Sequence, residues 1–209
     1  MKAFSMSKTS PIVETPKGKL RGFHYDGVDH FYGIRYAKAK RFQMPEPVPA
    51  WEGVKDAGSY GMICPVLNEP MTPHRFWPSS EHCQYLNVWT KDCDPNAKRP
   101  VMFWIHGGGY SAGSSIEQVC YDGFNLAKDD DVVVVSVNHR LNAFGYLDLS
   151  DFGSKYENSV NVGMADLVEA LRWVRDNIAC FGGDPGNVTI FGQSGGGAKV
   201  TVLGQIPEA

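Results

Sequence analysis

The stretch Phe191-Gly192-Gln193-Ser194-Gly195-Gly196-Gly197 decides how the rest of the chain is read. A short β-prone run, Asn187-Val188-Thr189-Ile190-Phe191, leads into it. A helix-compatible run, Ala198-Lys199-Val200-Thr201-Val202-Leu203, leads out. Gly-x-Ser-x-Gly between a strand and a helix is the pattern of a nucleophile elbow. The turn is so tight that the serine is expected at a strained backbone angle with its hydroxyl exposed. Gly192 and Gly196 leave room for strand and helix to pass without Cβ clashes. The helix brings its positive N-terminal end beneath the reacting oxygen. With 23 glycines in 209 residues the pattern alone is weak, so the strand-turn-helix context carries the reading of Ser194 as a nucleophile.

A second stretch supports it: Val101-Met102-Phe103-Trp104-Ile105-His106-Gly107-Gly108-Gly109-Tyr110. A buried-strand run passes straight into His-Gly-Gly-Gly. Consecutive glycines leave backbone N–H groups bare and able to approach a ligand closely. Acyl transfer needs such donors, because the carbonyl oxygen becomes negative when its carbon turns tetrahedral. Both turns follow strands, in the order that hydrolytic α/β plans use. Ser194 is therefore expected to attack an ester carbonyl.

Further runs carry a resemblance. They are Gly33-Ile34-Arg35-Tyr36-Ala37, Glu81-His82-Cys83-Gln84-Tyr85-Leu86-Asn87-Val88-Trp89, Asn138-His139-Arg140-Leu141-Asn142-Ala143-Phe144-Gly145 and Phe181-Gly182-Gly183-Asp184-Pro185. With the two glycine turns they span about residues 15 to 205. The chain resembles the type-B carboxylesterase/lipase family, the branch of α/β hydrolases that includes cholinesterases, para-nitrobenzyl esterase-like enzymes and the catalytically silent neuroligins. The resemblance implies an α/β-hydrolase fold and a serine carboxylic-ester hydrolase. It also implies that Gly108, Gly109 and Gly195 donate the oxyanion-hole N–H groups. Cys64 and Cys83 stand where the family often closes a small disulfide loop, worth roughly 3 kcal/mol if formed; two reduced thiols are the other reading. The family pattern also pairs Arg41 with Glu81 and Arg140 with Asp184, as structural ion pairs.

Several positions depart from the family. Gly195 stands for the usual alanine, and Gln193 for the glutamate of cholinesterases, which removes a negative charge beside the nucleophile and weakens any case for a choline ester. His82 replaces an aspartate, and Arg35 a proline. Tyr110 and Gln193 are candidate pocket-wall residues.

Length and composition set the outer bounds. A chain of 209 residues with 43% hydrophobic and 21% charged residues has enough apolar content for one sizeable core. The net charge of −3 offers no basic footprint for nucleic acid. No apolar run approaches the ~20 residues that cross a bilayer. No Cys/His cluster has zinc spacing, and no metal or organic cofactor is implied. Five cysteines, an odd count, argue against a fully paired secreted framework. Met1–Lys8 lacks an apolar signal core, which leans toward a cytoplasmic chain but also fits a mature secreted form with its signal removed.

Along the chain, residues 11 to 37 read as an antiparallel meander with turns at Pro16-Lys17-Gly18 and Asp26-Gly27. Residues 38 to 80 read as a long surface excursion. Tyr85 to Trp89, Val101 to Ile105 and Asp131 to Val137 read as strands. From Gly163 to Cys180 apolar residues fall at helical spacing, so parallel βαβ units follow the meander. Asp166 on that helix reads as structural. Phe103, Trp104, Trp173 and Phe181 read as core, and Lys91-Asp92 and Lys128 to Asp131 as solvated faces.

The catalytic set is incomplete in this stretch. A serine hydrolase needs a histidine to take the serine proton and an acid to orient it, in the order serine, acid, histidine. Only Gly195–Ala209 follows Ser194, with Glu208 and no histidine; all six histidines lie upstream. His106 is expected to support the glycine turn rather than act as base. Residues 1–209 are therefore expected to be the N-terminal portion of a single α/β-hydrolase domain. A second polypeptide or a missing C-terminal portion would complete it, and the isolated chain would be nearly inactive. A neuroligin-like binding module and an inert truncated product are the competing readings.

Overall fold

The computed structural model describes residues 10–66 and 77–209; Met1–Lys8 and His74 lie outside the described residues. The strands are β1 (Ile12–Thr15), β2 (Gly18–Arg21), β3 (Phe23–Tyr25), β4 (Val28–Arg35), β5 (Ala37–Lys38), β6 (Glu46–Pro47), β7 (Val54–Asp56), β8 (Tyr85–Thr90), β9 (Arg99–Ile105), β10 (Val133–Val137) and β11 (Gly183–Gly192). The helices are α1 (Phe124–Asp129), α2 (Asn142–Tyr146), α3 (Val162–Asn177) and α4 (Gly195–Leu203).

The central sheet has the order β11-β9-β10-β8-β4-β3. β11, β9 and β10 are parallel, whereas β10–β8, β8–β4 and β4–β3 are antiparallel. An antiparallel start thus passes into parallel units, as the sequence predicts. β10 is buried at every position, as a strand covered on both faces must be. Leu167, Val174 and Ile178 pack in one core with Phe103, Ile105, Val135 and Val137. Their helical spacing puts Leu167 and Val174 on one side of α3, with Ile178 just past its end. The helix ends at Asn177, and a 3₁₀ turn over Ile178–Phe181 takes the chain to β11.

Two expectations need correction. The meander does not stay in one sheet. β1 and β2 form a hairpin that pairs with β7 in a separate three-stranded sheet, while β3 and β4 join the central sheet. The break falls at Gly22, where a side chain would strike the Phe31 ring at 2.8 Å. Nor are residues 38 to 66 simply an excursion. β7 pairs in parallel with β2, and Ala57 donates to Arg21 O at 2.7 Å and accepts from Tyr32 N at 2.7 Å. Ala57, Ile63 and Cys64 are buried.

The ion pairs divide in the same way. Arg41 and Glu81 form the expected bidentate bridge at 2.7 and 2.8 Å. Arg140 does not pair with Asp184; it binds Asp166 through Nε at 2.8 Å and Nη2 at 2.7 Å. Arg140 follows the C-terminal end of β10, whereas Asp184 begins β11 at the opposite end of the parallel strands. Asp184 instead accepts from Gly186 N at 2.8 Å. At that end Arg99 gathers Asp92 and Asp131, at 2.9 Å each, so those faces carry an ion network. Cys64 and Cys83 are buried free thiols, and Cys64 Sγ accepts from Leu141 N at 3.2 Å.

Asp166→Asn leaves the Arg140 guanidinium charged and buried without its counter-ion. Breaking such a pair is expected to cost about 3–5 kcal/mol in urea denaturation, far more than Arg41→Ala at the exposed pair. Similar losses for the two variants would show that burial is not what gives the Arg140 pair its weight.

Candidate active site

The register of the two central parallel strands builds the site. Gly192 lies opposite Ile105, so the turn after β11 and the turn after β9 leave the sheet side by side. Ser194 caps α4 with φ 54° and ψ −120°. That conformation costs a non-glycine residue about 1–3 kcal/mol and persists only where its surroundings enforce it. Here Gly196 N donates to Gln193 O at 2.9 Å and Ala198 N to Ser194 O at 3.1 Å, which locks strand, turn and helix. The Ser194 side chain makes no cap hydrogen bond to its own helix, and the residue is exposed.

The facing turn is held open by its glycines. Gly108 and Gly109 sit at φ 92° and 61°, where L side chains are strained, and both are exposed. Ser111 N and Ala112 N donate to Gly108 O at 3.2 and 3.0 Å, curling the chain behind the turn. Among the described residues, the N–H groups of Gly108, Gly109 and Gly195 enter no hydrogen bond. Three bare amides thus belong to two turns that touch. A Cβ on Gly195 would overlap the backbone of Gly109, and one on Gly107 would come within 2.5 Å of Gln193 Oε1 and 3.5 Å of Ser194 Cβ. The glycine at 195 is therefore a matter of space rather than of backbone freedom.

His106 and His139 are both occupied away from Ser194. His106 is fully buried and its Nδ1 donates to Gly107 O at 2.8 Å, supporting the turn as expected. His139 packs against it, with ring centroids 4.8 Å apart. Burial pushes the His139 pKa well below the usual imidazole value, so the ring is neutral at pH 7. Both His139 ring nitrogens lack a hydrogen-bond partner among the described residues. Tyr110 stands at the rim, edge-on to Tyr146 at 4.9 Å. Gln193 is exposed beside Ser194.

One residue at the site escapes a motif-based reading. Lys199 is fully buried, and its Nζ donates to Gly109 O and, at 3.4 Å, to Gly195 O. The available signal was its spacing: four residues after Gly195 on a helix puts it on the same face as the proposed donor.

Gly195→Ala must push the Gly109 backbone away. Overpacking of this kind is expected to lower stability by about 1–3 kcal/mol in thermal denaturation, although alanine is the better helix former. A melting temperature at or above that of the parent would show that the two turns do not touch.

A family model described as the carboxylesterase family matches residues 9–209. The para-nitrobenzyl esterase of Bacillus subtilis (strain 168) is 44% identical over 96% of this chain and 42% of its own length. Carboxylesterase 1D of Mus musculus is 40% identical over 96% of this chain and 38% of its own. Among solved structures, an esterase from anaerobic Clostridium hathewayi that can hydrolyse aliphatic aromatic polyesters superposes with a TM-score of 0.92 at 59% identity, over 96% of this chain and 41% of that one. The carboxylesterase EST55 of Geobacillus stearothermophilus gives 0.86 at 50% identity, over 95% and 40%. The chain thus spans about two-fifths of the length of the relatives it matches, and it has the α/β-hydrolase fold they share. With the match running through the glycine turn, the buried Arg140 pair and the elbow alike, the chain belongs to the carboxylesterase family.

Proposed function

We propose that this chain is the nucleophile-bearing part of a serine carboxylic-ester hydrolase. The observation that carries the reading is the exposed Ser194, at φ 54°, beside the bare N–H groups of Gly108, Gly109 and Gly195. Ser194 Oγ attacks the ester carbonyl, and the three amides take up the charge on the tetrahedral oxygen. The alcohol leaves, and water then releases the acyl group from the serine. The α4 N-terminus adds its positive end beneath the reaction.

The histidine and acid that complete the triad lie outside residues 1–209, in a C-terminal portion or a second chain. A groove of about 420 Å³ beside β11 supports this, lined by Leu171, Val174, Val188, Ile190 and Leu203 among others. β11 is an edge strand, and several of its residues are exposed. Further chain of the same domain covers that edge and that groove. By itself the 209-residue chain is nearly inactive, since loss of a triad histidine outweighs loss of one oxyanion donor, itself about 10²–10³ in rate. The substrate is a small-molecule ester. Among the described residues no helix is long and apolar enough to cross a membrane.

A fluorophosphonate probe applied to the complete protein tests this reading. Labelling is expected, and Ser194→Ala is expected to abolish it while leaving the fold intact by circular dichroism. A folded, complete protein that takes no label would overturn the hydrolase in favour of a binding module of the neuroligin kind.

A further inference from the structure

α4 opens with Gly195-Gly196-Gly197-Ala198 before Lys199. Helical side chains lean toward the N-terminus of their helix, so the Lys199 stem runs back over a turn that carries no side chains. The ammonium therefore arrives at the mouth of the elbow rather than in solvent. It has three protons to give. One goes to Gly109 O on the opposite turn and one to Gly195 O on its own helix, while the Tyr110 ring lies 4.7 Å away. Among the described residues no carboxylate pairs with it.

A buried cation without a counter-ion is costly. The place it occupies gives that cost a use. Gly109 and Gly195 are the two residues whose backbones touch across the cleft, and Lys199 holds the carbonyl of each. On top of the reading of Ser194 as an ester-cleaving nucleophile, we propose that Lys199 is a positioning residue for that reaction. Its ammonium clamps the two turns together through those carbonyls and keeps the neighbouring N–H groups on the oxyanion. Its positive charge meets the negative charge that appears only in the transition state. No bond to the substrate is made by Lys199, and no proton leaves it during the reaction.

The charge is within reach of ordinary pH. Burial draws the Lys199 pKa down to about 8. The ammonium is therefore present below that pH and lost above it. The groups facing it are the Tyr110 ring from the glycine turn and His139 after β10, with His106 behind. His139 stays neutral throughout this range, its pKa lowered further by the lysine charge.

The test uses the complete protein and para-nitrophenyl acetate. Lys199→Met keeps the length and apolar stem but removes charge and donors. It is expected to lower kcat roughly 10- to 100-fold with KM within about twofold, as a displaced catalytic geometry does. The parent kcat is expected to fall as pH rises through about 8. Lys199→Arg, charged throughout, is expected to lack that fall. Lys199→Met with the parent kcat and the parent pH profile would overturn the proposal while leaving Ser194 untouched. A parent that neither labels with fluorophosphonate nor turns over ester would instead remove the nucleophile reading beneath it. If Lys199→Met fails to fold, the parent profile decides: a fall near pH 8 supports the clamp, and a level or rising kcat to pH 9.5 refutes it.

Discussion

The cleft rests on the buried pair of Arg140 and Asp166. Both side chains are almost wholly out of solvent, at 2% and 0% exposure. Taking two charges out of water is unfavourable unless every donor and lone pair is matched. Here the matching is nearly complete. Arg140 gives two donors to the carboxylate and others to the carbonyls of Gln43 and Val162, at 2.8 and 3.3 Å. Its own backbone N–H returns to the same carboxylate at 3.0 Å, and Gln84 reaches it at 3.4 Å. One carboxylate on α3 thus fixes the end of β10 and the loop that carries Gln43. His139 precedes Arg140 directly, so the same pair sets where that ring can lie. His139 then packs under His106, and His106 holds Gly107. The charge pair therefore reaches the glycine turn through His139 and His106.

The strain at Ser194 is the second constraint, and it is met by sterics together with the two backbone hydrogen bonds of the turn. Strand, turn and helix must turn back within a few residues. Gly192 and Gly196 allow this because Ile105 O would stand within 2.7 Å of a Cβ on Gly192 and still nearer one on Gly196. The end of β9 and the start of α4 share one narrow space. Crowding there leaves the serine no relaxed alternative, so its backbone stays in a sparsely populated region and its side chain makes no cap hydrogen bond to its own helix.

What could be read from the sequence follows from how local each feature is. The elbow and the His-Gly-Gly-Gly turn are visible because glycine identity reports directly on space and backbone angle. α3 is visible because apolar spacing is local too, although its last turn tightens to a 3₁₀ form that periodicity does not distinguish. The meander was half legible. Its two hairpins are local, but their assignment to different sheets depends on Gly22 crossing His30 and Phe31, a contact no hairpin signal encodes. Arg140 was legible as a pairing residue and not in its partner, because Asp184 and Asp166 differ only in which end of the sheet they reach. Lys199 was the least legible. In the sequence it is one helical residue among several, and only the approach of the opposite turn shows what its ammonium meets.

The three basic side chains at the turn then divide the work by charge. His106 and His139 lie packed together and buried, and a cation in the His139 ring would stand beside His106 and Lys199. Desolvation and that repulsion act in the same direction on His139, which stays neutral and serves as packing. The lysine, starting from a much higher intrinsic pKa, can absorb the same desolvation and remain charged at neutral pH. A place where an ammonium meets two backbone carbonyls, with no carboxylate among the described residues to pair with it, is thus better served by a lysine than by a third histidine.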